Sequence, residues 1–130
     1  MSRTIRGVRL DVDGTLTDVE LPVDSTGLVE ALRGQVDGGV EIAHYARPDG
    51  KRRLAVAVDA DGQARKQENL YATSLINGIY CKQLPYCLHG PVVLLGALDD
   101  SRHHTDIPEP LYGVLPQVMD ALKPRYSHSA

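Results

Sequence analysis

The ten residues "RLDVDGTLTD", Arg9 to Asp18, decide how this chain folds. Apolar and polar residues alternate on both sides of Asp13-Gly14. Val8, Leu10 and Val12 share one face of an expected strand over residues 3–12. Thr15, Thr17, Val19 and Leu21 share one face of a second strand over 15–21. Asp-Gly supplies the positive φ angles that a two-residue type I′ turn needs. Such a turn pairs Val12 with Thr15, Leu10 with Thr17 and Val8 with Val19, and the apolar face stays consistent across the pair. The stretch therefore reads as a β-hairpin.

Outward from the hairpin, Pro22 ends the second strand. Asp24 or Ser25 caps a helix carrying Leu28, Val29, Leu32 and Val36 at helical spacing, and Asp37-Gly38-Gly39 stops it. Val40, Ile42 and His44 face one way in a third strand. "RPDG" (47–50) turns the chain, and Leu54, Val56 and Val58 alternate in a fourth strand. "VDADGQARKQ" (58–67) contains another Asp-Gly, read as a turn with a short return strand. Asn69 caps a second helix bearing Ala72, Leu75, Ile76 and Ile79. "GPVVLLGAL" (90–98) is the most apolar run and the expected central strand. After the polar loop "DDSRHHTDIPEP", the segment "LPQVMDALKP" is expected to form a short last helix, with Pro116 in its first turn and Pro124 beyond its end. This order predicts an α+β fold: a small antiparallel or mixed sheet built from hairpins, packed with two or three short helices. Residues 1–124 form one domain in this reading, and 125–130 a flexible tail.

Composition sets the bounds. The chain has 130 residues, which suits one modest core. It contains no Phe or Trp, so Val, Leu, Ile and Ala must fill that core, with six Tyr adding bulk. A net charge of -3 is too near neutral to imply nucleic acid or membrane on its own. No apolar run approaches the ~20 residues that span a bilayer. "MSRTIRGVRL" has no apolar h-region, so no signal peptide is expected, and two Cys make no disulfide framework. These features predict a reducing, cytoplasmic setting.

The opening stretch also carries a catalytic spelling. Asp11-Val12-Asp13-Gly14-Thr15-Leu16 resembles the first motif of the haloacid dehalogenase (HAD) phosphotransferases, a strand followed by Asp-x-Asp-Gly-Thr-Leu. The resemblance implies Asp11 as nucleophile and Asp13 as acid/base. A carboxylate attacking phosphate needs a metal to offset charge repulsion. Mg²⁺ would then sit at Asp11 and Asp13 with Asp99 or Asp100 of "LLGALDDS" (94–101), and Lys82 would hold the phosphoryl group. The rest of the chain departs from that pattern. No strand ends in the required Ser or Thr, since the one through Val56 and Val58 runs into Asp59. Repeated βα units are missing, and Arg6 and Arg9 interrupt a strand that a parallel sheet would bury on both faces. "VDADGQA" (58–64) echoes "LDVDGTL" (10–16), as if the chain uses Asp-Gly to turn hairpins. We therefore read Asp13 and Asp61 as turn residues and Asp11 and Asp59 as solvated strand ends, with no catalytic residue and no cofactor. Mg²⁺-dependent phosphotransfer is the alternative.

Three further constellations are weaker. Asp11, Asp13, Gly14 and Glu20, and likewise Asp59, Asp61, Gly62 and Glu68, fall at calcium-loop positions 3, 5, 6 and 12. Position 1 is Arg9 or Ala57, which cannot ligate, and the flanks read as strands. Cys81, Cys87 and His89, with His103 and His104, supply zinc-type ligands, but Cys-x5-Cys is wider than usual zinc spacing. Arg47, Lys51, Arg52 and Arg53 surround one turn, and Arg65 and Lys66 lie beyond another. If those tips point the same way they form a basic ridge for phosphate or an acidic partner. No aromatic residues interleave with them as a stacking platform would require.

The longer pattern points elsewhere. "VELPVDSTGLVEALRGQVDGGVEIAHYA", "LAVAVDADGQARKQENLYATSL" and "GPVVLLGALDD" occur in an order that resembles the domain-of-unknown-function family 3846, over roughly residues 18–115. Those are short proteins often carried by phages and mobile elements. The resemblance implies no catalytic residues. It implies that Asn69, Ala72 and Gly90 belong to the structural framework. The expected function is a small binding or accessory module with a protein partner; nucleic-acid binding through the basic tips is a further alternative.

Overall fold

Thr4–Leu10 (β1) and Leu16–Pro22 (β2) form the expected antiparallel hairpin, in a register one residue away from the expected one. Leu10 lies opposite Leu16, Val8 opposite Asp18, and Gly7 opposite Val19. A one-residue slip moves every side chain of a strand to the other face of its partner. Val8 and Leu10 consequently face one side of the sheet, while Val19 and Leu21 face the other with Ile5. The turn explains the slip, because the loop holds three residues rather than two. The Gly14 N–H donates to the Asp11 carbonyl at 3.0 Å, and the Asp11 N–H to the Thr15 carbonyl at 3.0 Å. Within this loop only Gly14 has positive φ, 87°. This is a type I turn closed by a left-handed bulge residue.

The computed structural model describes residues 3–46, 53–80 and 84–126. Asp24 caps helix α1 (Ser25–Val36) by accepting the Gly27 N–H, and Asp37, at φ 55°, ends it. Strands β3 (Val40–Tyr45) and β4 (Leu54–Asp59) follow, then a single helical turn α2 (Gly62–Arg65), helix α3 (Leu70–Tyr80), strand β5 (Val92–Gly96) and helix α4 (Glu109–Tyr126). The five strands are ordered β2-β1-β5-β4-β3, and every pairing is antiparallel. The fold is α+β. β5 is central, and each of its five residues is buried.

Both faces of the sheet are covered. α1 lays Leu28, Leu32 and Val36 over Ile5, Val19, Leu21, Val93 and Leu95, and the small Ala55 and Ala57 let it approach closely. On the other face, α3 and α4 cover Val8, Leu10, Leu54, Val56, Val92 and Leu94. Three expectations change. Val29 is 42% exposed rather than core, because the buried stripe of α1 runs along Leu28, Leu32 and Val36 with Ala31 beside it. The second Asp-Gly opens α2 and no return strand forms. The last helix is 18 residues long rather than short. It begins at Glu109, so Pro110, whose missing N–H would be unpaired in a first turn anyway, occupies the place assigned to Pro116. The helix continues through Pro116, Pro124 and the Arg125 and Tyr126 that the sequence placed in a tail. Tyr126 is anchored there by a 2.6 Å hydrogen bond to Ser74 and an edge-on contact with Tyr71. The "RPDG" turn lies outside the described residues.

Candidate functional site

The opening loop is built inward on itself. Asp13 accepts the Thr15 N–H through Oδ1 at 2.9 Å, and this hydrogen bonding to Thr15 lowers its pKa below the usual carboxylate value. The Asp11 carboxylate sits 3.4 Å from Arg9 Nε. Gly14 lies against α3, where an added Cβ would come within 2.9 Å of the Tyr71 ring. The chain therefore turns straight back, and the two carboxylates are held by their own loop and by Arg9.

Asp99 and Asp100 lie far from them. β1 and β5 are antiparallel, with Leu10 opposite Val92. Asp11 thus stands beside the start of β5, while Asp99 follows its end. The two pairs of carboxylates are separated by the length of β5 and share no pocket. In a parallel sheet they would have met at one edge. Asp99 forms a second three-residue loop of the same kind: its N–H donates to the His103 carbonyl, and the Arg102 N–H to the Asp99 carbonyl, with Arg102 at φ 64°. Its carboxylate accepts the Ser101 and His103 N–H groups, at 2.9 and 3.0 Å, which lowers its pKa.

Asp59 is not a solvated strand end. It is 4% exposed, and its carboxylate points under α1. Arg65 approaches Oδ2 at 2.6 Å and Lys66 at 3.0 Å, while the Asp61 N–H donates to Oδ1 at 2.9 Å. Arg65 hydrogen bonding, opposed by burial, holds the Asp59 carboxyl far below the usual carboxylate range. Lys66 also donates to the Val36 and Asp37 carbonyls, and Arg65 to the Asp37 carbonyl. The cluster satisfies the free carbonyls at the C-terminus of α1 and locks α1 to β4. The clue in the sequence was Arg65-Lys66 following Asp59 at the distance a single helical turn brings back.

The remaining candidates disperse. Arg65 and Lys66 are engaged with Asp59, beyond the end of β4, whereas Arg53 precedes its start. Arg53 and the Arg65–Lys66 pair therefore lie at opposite ends of β4. Arg47, Lys51 and Arg52 lie outside the described residues, as do Cys81 and Lys82. The Cys87 thiol meets Thr73 Oγ1 at 3.4 Å, and His89 Nδ1 donates to the Lys66 carbonyl. His103 and His104 sit at the opposite end of β5. Glu20 lies on β2 and accepts from Thr4, and Glu68 bridges to His89, so neither calcium frame closes. Among the described residues no three His, Cys, Asp or Glu side chains converge on a metal position.

No family model, curated protein or solved structure matches this chain.

One concavity among the described residues is lined by apolar side chains, and sequence reasoning missed it. A groove of about 380 Å³ opens between the end of α3 and the start of α4. Leu54 and Tyr80 form its floor, and Ile79, Leu111, Pro108 and Pro110 its walls. Val114, 42% exposed, stands on the rim. None of these lining residues is charged. Burial pushes the Tyr80 hydroxyl up to about 12, so it stays neutral. The groove needs α3 and α4 side by side, and the sequence does not show that adjacency. No helix among the described residues is long and apolar enough to cross a membrane.

Proposed function

We propose that the chain is a small protein-binding module that receives an apolar side chain of its partner in the groove between α3 and α4. The observation that carries this reading is the groove's lining: rigid proline and aliphatic walls over a deep floor, without a charged group. Such a surface suits one aliphatic or aromatic anchor surrounded by a polar rim. The resemblance to the domain-of-unknown-function family 3846 supports an accessory role associated with mobile elements, and the free Cys87 thiol is in keeping with a cytoplasmic setting.

Panning a random peptide library against the protein tests the reading. Selected peptides should share an apolar anchor and bind Val114→Asp at least tenfold more weakly, because the rim carboxylate would face that anchor. Failure to select any peptide, or equal binding to Val114→Asp, would overturn it.

A further inference from the structure

We propose that the outer edge of β3 pairs antiparallel with β3 of a second copy of this chain, joining two five-stranded sheets into one. The backbone shows which groups are on offer. The Ala60 N–H donates to the Gly39 carbonyl, so in the register of β3 on β4 the residues bonded to β4 are Glu41, Ala43 and Tyr45. The N–H and C=O groups of Val40, Ile42 and His44 therefore point away from the sheet. Among the described residues nothing pairs with them.

The opposite edge of the sheet offers the same kind of groups and is guarded. Asp11 bonded to Thr15, and Val23 bonded to Arg3, leave Leu16, Asp18, Glu20 and Pro22 of β2 pointing outward. Two of these carry carboxylates on one face and the last has no N–H, which is how exposed edges resist pairing. β3 carries no such guard at its outward positions.

The strand also complements itself. A two-fold axis through Ala43 places a small residue where the backbones come closest. It sets Ile42 opposite the second copy's His44, so that each exchanges both backbone hydrogen bonds. It also sets Glu41 opposite the second copy's Tyr45. The Tyr45 and Tyr86 hydroxyls lie 3.0 Å apart. One donates to the other, which leaves one hydroxyl proton without a use between them, and a carboxylate arriving from the second copy accepts it. The second copy's Glu41 thereby lies beside Tyr45, at the end of the sheet where the exposed Arg53 enters β4, so the charges there are opposite.

Amide hydrogen exchange by NMR, with mass from sedimentation equilibrium, tests this on the whole protein at about 1 mM and about 10 μM. The mass should double at the higher concentration. The Val40, Ile42 and His44 amides should then exchange at least tenfold more slowly than in the dilute sample, with Glu41, Ala43 and Tyr45 protected in both. Among backbone hydrogen-bonding groups Ile42→Pro removes only an outward N–H, and it should abolish the dimer while the β4 amides stay protected. Four results would overturn the proposal: a monomer at both concentrations; slow outward amides in a monomer, which would mean that the chain covers its own edge; a dimer whose outward amides exchange fast; or a folded Ile42→Pro that still dimerises. If Ile42→Pro does not fold, exchange in the unaltered protein decides.

Discussion

Asn69 shows how much one side chain can join. It is fully buried, and its Oδ1 accepts the Ala72 N–H at the first turn of α3. Its Nδ2 donates to the Leu10 carbonyl at 3.0 Å and to the Gly90 carbonyl at 2.9 Å. The end of β1, the entry to β5 and the start of α3 thus meet at one amide. Asn69→Ala should destabilise the protein by about 2–4 kcal/mol, combining a lost cap with two buried carbonyls left unpaired. Asn69→Asp keeps the cap but turns a carboxylate toward those two carbonyls, and should be no better. Urea unfolding measures both, and a loss under about 0.5 kcal/mol for either would refute the junction. The cap was legible in the sequence, because Asn before an apolar helical run has a local meaning. The Nδ2 bonds were not, since both acceptors come from distant segments. Asp59 was misread for the same reason. Its sequence neighbours describe a strand end, and it is buried where Arg65 and Lys66 fold back onto it beside Gly38, just past the end of α1. Gly38 belongs to that arrangement as well: a Cβ there would come within 2.5 Å of the Asp59 carboxylate.

At the scale of elements, periodicity identified the long strands and α1, and turn chemistry found the hairpin but not its register. A two-residue turn and a three-residue loop both ask for Asp-Gly at this place. The choice between them follows from which residues α1 covers, and that is a tertiary contact. The second Asp-Gly shows the same limit, as it opens a helical turn because Arg65 and Lys66 fold back onto Asp59. Glycines inside elements give a sharper test. Gly34 in α1 and Gly113 in α4 have nothing within 4 Å of an added Cβ. Alanine at either should stabilise the protein by about 0.5–1 kcal/mol, through helix propensity alone. Alanine at Gly14 should instead destabilise it, as it meets both a positive φ of 87° and the Tyr71 ring. Thermal melts of the three variants should therefore rise, rise and fall. A fall at Gly34 or Gly113 would mean that α1 or α4 is packed more tightly than described.

For the whole molecule, the layered arrangement places two titrating groups where acid must loosen it in stages. His44 of β3 stacks on His104, which follows β5, with ring centres 5.6 Å apart and planes 8° from parallel. His104 Nδ1 donates to the Gly96 carbonyl, so the stack ties the edge strand to the end of the central one. Burial, then His104 and Arg53, lower the His44 pKa below its ordinary 6.5. The unfolded chain therefore binds more protons than the folded one just below pH 6.5, and stability declines as pH falls through that region. Asp59 acts further down. Its pKa is held well below the ordinary 3.8, so its contribution is full above that value and is lost as pH falls beneath it. Urea midpoints followed from pH 8 to pH 3 should show a first decline beginning near pH 6.5 and a steeper one below about pH 4. His44→Gln should remove the first decline and leave the second. Asp59→Asn should lower stability at neutral pH by about 3 kcal/mol, near the low end for breaking a buried pair because Arg65 is half exposed, and flatten the second decline. A single decline that ignores both substitutions would show that neither contact between layers and strands governs the acid response.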